Sequence, residues 1–213
     1  ASVEILKRIG ISTLSDRLKG LLLDNGCKEQ GDRILFTEDV IDKALKTVPS
    51  NFNIYGRNGC DLVIEMGKQK AYAQTCVGAP SVIDLETEEK RDASLKDLED
   101  FAKLSDALEN THLISPVFPR DVQQEIIVTA ETAATLRNSS KPQRICAESS
   151  HELPYIIEVL AAAAGGMDAL KEKPLAYIEV STISPLNSGF HPAEALIDIV
   201  EAGLPLGIVP CPM

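Results

Sequence analysis

The chain has 213 residues, 44% hydrophobic and 25% charged, enough for a folded core and too ordered a composition for a disordered chain. Its formal net charge is −11, which opposes nucleic-acid phosphates and anionic lipid, and no basic cluster offsets it. Aromatic residues are 4% and Trp is missing, so the core has to be aliphatic.

No apolar run approaches the ~20 residues of a membrane-spanning helix. The most apolar stretch, Tyr155 to Met167, is broken by Glu158 and by Gly165-Gly166. The first residues lack the basic start of a secretory signal. They open directly in an amphipathic pattern (Val3, Ile5, Leu6, Ile9), which implies a helix already under way and residues upstream of it. Five widely spaced cysteines, Cys27, Cys60, Cys76, Cys146 and Cys211, with no C-x-x-C, predict reduced thiols in a cytoplasmic protein. No Cys/His pair has zinc-ligand spacing, so no metal is expected.

In chain order, Leu14 to Asn25 is apolar at helical spacing and is stopped by Asn25-Gly26. Arg33 to Phe36 is a short strand. Thr37 is placed to cap a helix through Lys46. Residues 51 to 84 read as a β-meander: Phe52 to Tyr55, a turn at Arg57-Asn58-Gly59, Leu62 to Ile64, Ala71 to Cys76 and Ser81 to Leu85. Glu86 to Arg91 is a charged, solvated connection. The pattern then changes, so residues 1–93 are expected to form an α+β elaboration and 94–213 a second unit.

Ser94-Leu95-Lys96-Asp97 is a capping-box start for a helix to about Leu108. Four apolar strands follow, starting near Leu113, Gln143, Leu175 and Pro205, that is 30, 32 and 30 residues apart. Helices are expected between them at Val122 to Arg137, Glu152 to Ala164 and Pro192 to Ala202. Repeats of this kind make parallel strands with crossover helices. A doubly wound sheet and a (β/α)8 barrel both fit. Eight units of ~30 residues match the usual barrel size, and four are present, so a further segment is expected to complete the sheet. Open parallel edges otherwise predict a homo-oligomer.

In either architecture the chemistry lies at the carboxyl ends of the strands. That rule selects Asp121, Glu148, Ser181, Ser184 and Met213. Glu148 directly follows a strand and can bind a cation or transfer a proton, or it can be a helix N-terminal acid. Asp121 is a site carboxylate or the N-cap of the helix after the first strand. Ser181 and Ser184 offer hydroxyls, although Ser184-Pro185 is also a strand-ending turn. His191 can face the site, His151 reads as cap material, and His112 precedes the first strand. No phosphate loop, dinucleotide fingerprint or nucleophile elbow occurs.

Taken together, EILKRIGI, LLLDNGC, VPSNFNIYGRN, VGAPSVIDLETEEKRDASLKDLEDFAKLSDAL, FPRDV, RNSSKP, STISPL and EAGLPLGIVPCPM resemble, in this order, the trimethylamine methyltransferase family. The resemblance covers essentially the whole chain and implies the first half of a (β/α)8 TIM-type barrel. It implies methyl transfer from a methylated amine, such as trimethylamine or glycine betaine, to the cobalamin (corrinoid) of a small partner protein. It leaves open a pyrrolysine in the second half of the barrel. It places Glu148 and Asp121 as catalytic residues and Ser181, Ser184, Met213 and Gly78 as substrate-lining ones. The competing readings are another barrel enzyme acting on a small polar substrate and a non-catalytic half-barrel.

Overall fold

The structure is a computed structural model that describes residues 1–57, 62–75, 78–147 and 149–210. The N-terminal unit comprises α1 (Ser2–Arg8), β1 (Ser12–Thr13), α2 (Asp16–Asp24), β2 (Lys28–Gln30), β3 (Arg33–Leu35) and α3 (Glu38–Thr47). Helix α2 starts where the Ser15 side chain accepts a hydrogen bond from Leu18 N at 3.0 Å. It ends at Asn25, followed by Gly26 at φ +99°, as the Asn-Gly pair predicts. Gly10 at φ +67° lies against Ile34, whose carbonyl would overlap any Cβ there. Thr37 precedes α3, but its side chain makes no capping bond; its hydroxyl donates to Gly26 O at 3.3 Å and ties α3 to the end of α2.

Residues 51–92 form two separate hairpins. Strands β4 (Phe52–Tyr55) and β5 (Val63–Met66) pair antiparallel and bury Ile54 and Ile64 against Leu113. Strands β6 (Ser81–Ile83) and β7 (Lys90–Asp92) form the second hairpin. The meander expectation fails between them: Ala71 to Thr75 contributes one parallel bridge, Gln74 to Leu113. Cys76 lies outside the described residues, as does the predicted turn at Asn58 and Gly59. The charged stretch read as a loop contains β7. Asp84 explains why: its carboxylate accepts from Glu86 N and Thr87 N, at 3.1 and 3.2 Å, and pairs with Arg91 Nε at 3.2 Å, which closes the turn.

Helix α4 (Leu95–Ala107) has the capping box that its sequence predicts. After it come α5 (Ile127–Asn138), β8 (Gln143–Cys146), α6 (Leu153–Ala164), α7 (Met167–Glu172), β9 (Ala176–Thr182), β10 (Asn187–Ser188), α8 (Phe190–Glu201) and β11 (Leu206–Pro210). The central sheet has the order β11-β9-β8, all parallel. Ile114 extends it by one parallel bridge to Gln143. The fold is therefore mixed α/β, and the described strands form an open sheet, not a closed barrel.

The expected first strand is reduced to that bridge and its neighbour at Leu113. Thr75 Oγ1 occupies Ser115 N at 2.8 Å, Gly78 N takes Pro116 O, and Pro116 and Pro119 have no N–H to offer. The ladder is thus diverted to the segment beside it. The next helix begins five residues later than its periodicity predicts, after a 3-10 turn at Gln124–Ile126. Short α7, between Gly166 and Lys173, was not anticipated. Helix α8 starts two residues before Pro192, which takes the third helical position, where a missing N–H costs nothing.

The core follows from strand alternation. Ile145, Ala147, Ala176, Ile178, Val180 and Leu206 fall on one face of the sheet and pack on Leu153, Ile156 and Leu160 of α6 and on Ala195 and Ile199 of α8. Each fully buried Leu or Ile is worth about 1.5–3 kcal/mol. No helix among the described residues is long and apolar enough to cross a membrane.

At the start of α4, Asp97 accepts from Ser94 N at 2.8 Å and from both Arg91 terminal nitrogens at 2.7 and 2.9 Å. The Arg91 guanidinium, helped by Ser94, holds the Asp97 carboxyl well below the usual carboxylate range. This stabilisation is fully present above the unfolded Asp value, about pH 4, and is lost as pH falls below it. Ser94→Ala should cost about 1 kcal/mol in urea unfolding at neutral pH. Asp97→Asn should flatten the loss of stability below about pH 4 in the same titration.

Candidate functional site at the carboxyl ends of the strands

The face of the sheet opposite the helices carries the polar side chains. Strand register aligns Arg144 with Tyr177, Cys146 with Glu179 and Gly207, and Ser181 with Val209. Read from the amino to the carboxyl ends, these make three layers. Arg144 and Glu179 form a buried ion pair, with 13% and 8% of their side chains exposed. Tyr177 lies beside them; burial, reinforced by the Glu179 charge, pushes its phenol up from its ordinary value. Gly207 leaves the space they need, since a Cβ there would stand 3.1 Å from Tyr177 Cδ2 and 3.5 Å from Glu179 Cγ.

Above these layers lie the loops that leave the strands. After β8, Ser150 and His151 lead into α6. At the end of β9, Ser181 and Thr182 lead, with Ser184, into a tight turn in which Ile183 and Asn187 exchange backbone hydrogen bonds of 2.8 and 2.9 Å. The Asn187 side-chain oxygen is buried without a hydrogen-bond partner. His191, in the first turn of α8, shares a hydrogen bond with Ser150 at 3.0 Å. Its ring meets those of His151 and Phe190 edge to face, with centroids 5.3 Å apart in both cases. Ile183, Leu186 and Phe190 leave an apolar rim, each at least a third exposed.

The site residues selected from sequence fall into three groups. Ser181 and Ser184 stand at this mouth, half-buried. Gly78, at φ +64°, lies beside the end of the first extended segment: its N–H donates to Pro116 O at 3.1 Å, and Phe118 flanks it. Asp121 does not open the helix that follows it. Its carboxylate accepts from Leu95 N at 2.8 Å and so reaches the N-terminus of α4, one helix earlier in the chain. Glu148 and Met213 lie outside the described residues. His112 is set apart, with Nδ1 accepting from Ala73 N and its ring edge-on to Tyr72.

Sequence reasoning missed Arg144, Tyr177, Glu179 and the Ser150–His191 pair. A signal for the ion pair exists: Arg144 and Glu179 are single charges inside apolar strands, offset by one residue from the helix-facing positions. The Ser150–His191 contact has no such signal, because 41 residues separate its members. A groove of about 700 Å³ lies at the other end of the sheet, among Phe52, Tyr55, Lys171, Pro174, Pro205 and Leu206. It adjoins the amino ends of β9 and β11, the end that parallel α/β sheets do not use for chemistry. Among the described residues, no group of three or more His, Cys, Asp or Glu side chains is gathered to hold a metal.

Comparison with known proteins gives this geometry its context. The family described as trimethylamine methyltransferase (MTTB) matches residues 1–213. A glycine betaine methyltransferase of Desulfitobacterium hafniense is 28% identical over 204 residues, covering 95% of this chain and 42% of the relative. The trimethylamine methyltransferase MttB of Methanosarcina barkeri is 27% identical over 218 residues, covering 98% of this chain and 44% of the relative. A proline betaine:corrinoid methyltransferase of Eubacterium limosum is 24% identical, covering all of this chain and 45% of the relative. The chain thus spans less than half the length of these relatives. With a match running from its first residue to its last, the chain belongs to the trimethylamine methyltransferase family.

Proposed function

We propose that the chain serves to move a methyl group from a methylated amine, trimethylamine or a quaternary amine such as glycine betaine, to a corrinoid carried by a small partner protein. The observation that carries this reading is the whole-chain family match, with relatives named for three different methylated amines. We further propose that residues 94–213 are the first half of a (β/α)8 barrel and residues 1–93 its elaboration. Support comes from the strand order, in which the Ile114 bridge, β8, β9 and β11 add one after another in one direction without reversal. A doubly wound sheet reverses at its switch point.

When bound, a cobalt(I) corrinoid would supply the nucleophile for the methyl group, the C–N electron pair being left on the amine. The exposed apolar side chains of Ile183, Leu186 and Phe190 are the surface proposed to meet the macrocycle. The protein need not provide a nucleophile. Its residues hold the amine in line and exclude water. Ser181 and Ser184, with Glu148 from the neighbouring strand end, are the groups proposed to surround the methylammonium, and Gly78 and Met213 complete the lining. The Asn187 side-chain oxygen, a buried acceptor at the same end, adds a partner for the polarised methyl hydrogens. We assign Asp121 to holding the first loop through Leu95 N. A quaternary amine departs as a neutral amine and needs no proton. A tertiary amine needs prior activation, which we place outside residues 1–213, where the resemblance leaves open a pyrrolysine.

A second reading rests on β11, an edge strand whose Ile208 side chain is 55% exposed on the helix-facing side. It makes the chain a self-associating scaffold through that edge.

The deciding assay mixes the protein with a corrinoid protein reduced to cobalt(I) and offers trimethylamine, glycine betaine or proline betaine, following the cobalt absorption spectrum. Methylation with one of these amines, reduced at least about tenfold by Ser181→Ala or Ser184→Ala, is the expected outcome. Turnover of a polar substrate without corrinoid would replace this reading with another barrel chemistry. No turnover, together with concentration-dependent association in sedimentation, would favour the scaffold. Independently of activity, Arg144→Met should destabilise the fold by about 3–5 kcal/mol, because it strands the buried Glu179 charge. The double variant Arg144→Met/Glu179→Leu should recover most of that loss in chemical unfolding.

A further inference from the structure

Helix α8 carries His191 to the carboxyl ends of the strands, and Ala195, Leu196 and Ile199 are its contacts with the main apolar cluster. Of its four buried side chains, Ala193 and Ala195 are the two nearest the mouth, and Ile197 and Ile199 lie farther along. An alanine interlocks weakly, so apolar packing holds the His191 end of the helix less firmly than the far end, which buries Ile197 and Ile199. A second set of contacts acts on another face. Glu194, Asp198 and Glu201 recur at helical spacing and form an acidic stripe below His191. One cation meets all three. Arg17 of α2 donates from Nη1 to Asp198 at 2.5 Å and from Nη2 to Glu201 at 2.6 Å, and Nη1 lies 3.5 Å from Glu194. Glu194 also accepts from the hydroxyl of Ser15, which is 1% exposed.

The same N-terminal unit grips the loop that precedes α8. Strand β1 pairs with β10, Ser12 opposite Asn187 and Thr13 opposite Ser188. Ser12 N donates to Leu186 O at 2.9 Å, and Arg33 Nη1 reaches the same oxygen at 3.4 Å. Two contact sets thus reach this region from residues 12–33, one mainly backbone on residues 186–188 and one of side chains on residues 194–201 of the helix that follows.

We infer that Arg17 is a positioning residue for the mouth: by clamping the acidic stripe of α8 to α2, it fixes the rotation of that helix and so holds His191 against Ser150. Without Arg17, three carboxylates on one helix face of a chain with net charge −11 lose their common counter-ion, and the stripe turns outward to water. His191 turns with it, and the Ser150 contact opens. Arg17 itself touches nothing at the mouth and acts through α8. The inference rests on the reading of the strand carboxyl ends as the functional site, but its test does not use methyl transfer.

The test compares the wild type with Arg17→Met, Arg17→Lys, Ser150→Ala and Arg17→Met/Ser150→Ala. The readouts are hydrogen exchange of peptides spanning residues 183–191 and the His191 ring resonances in NMR, with thermal unfolding as the fold control. Arg17→Met should speed exchange in residues 183–191 by about tenfold or more, while the interior of β9 stays protected. It should also shift the His191 signals toward those of Ser150→Ala, and Arg17→Lys should restore most of both effects. The double variant should add little to either single change, because both break one linked arrangement. Wild-type exchange and His191 signals in Arg17→Met would overturn the inference, as would strictly additive effects. If Arg17→Met does not fold, Arg17→Gln, which keeps a polar side chain but no charge, removes the same counter-ion and must give the same two changes. A failed methyl-transfer assay would leave all of these readouts in place.

Discussion

Glu179 is buried in the middle strand of a parallel sheet, and a carboxylate there is tolerable only beside a cation. Arg144, on the neighbouring strand, is that cation. Much of the local architecture follows from keeping the two together. The β8–β9 register must place Cys146, not Arg144, opposite Glu179, so that the long arginine reaches along the strand from one layer below. On the other side, a glycine at position 207 spares Tyr177 and Glu179 a tight contact, since a Cβ there would stand 3.1 Å from the Tyr177 ring. A slip by one residue would turn Glu179 toward the helices and Ile178 toward the mouth, so hydrophobic burial and ion pairing select the same register.

The sheet has two faces with different tasks. The helix-facing side is aliphatic and supplies most of the stabilising burial, through α6 and α8. The opposite face and the loops at the carboxyl ends collect serine, threonine, histidine and amide groups that a core cannot use. Such a division suits the proposed reaction, in which the nucleophile would arrive on another protein and the chain would orient a small cation and not supply a reactive group.

The N-terminal unit earns its place by what it holds. Its own helices bury little apolar surface; α1 and α2 have no fully buried residue. It is attached through polar contacts, chiefly Arg17 and Ser15 to α8 and β1 to β10. The Arg17 ion pairs are partly exposed, and each is weak by itself. The convergence of these contacts on one loop and one helix gives them an effect that their separate strengths would not.

Period and punctuation were enough to read the strands at Gln143, Leu175 and Pro205, the helices between them, the capping box at Ser94 and the stop at Asn25-Gly26. These features depend on neighbours within a few residues, where backbone sterics and hydrogen-bond reach act directly. The same local rules failed at Leu113, where an apolar run became two bridges because Thr75 and Gly78 took its backbone groups. They also failed at Asp121, whose carboxylate found Leu95 N and not its own helix. The position of Ser181 and Ser184 at the carboxyl end of a strand was legible because strand direction alone puts them there. Arg144 with Glu179, Ser150 with His191, and Arg17 with the α8 stripe were decided only by the tertiary structure. Their partners are 35 to 184 residues apart, and which of many charged groups meet is set by strand order and helix packing, which no local pattern encodes.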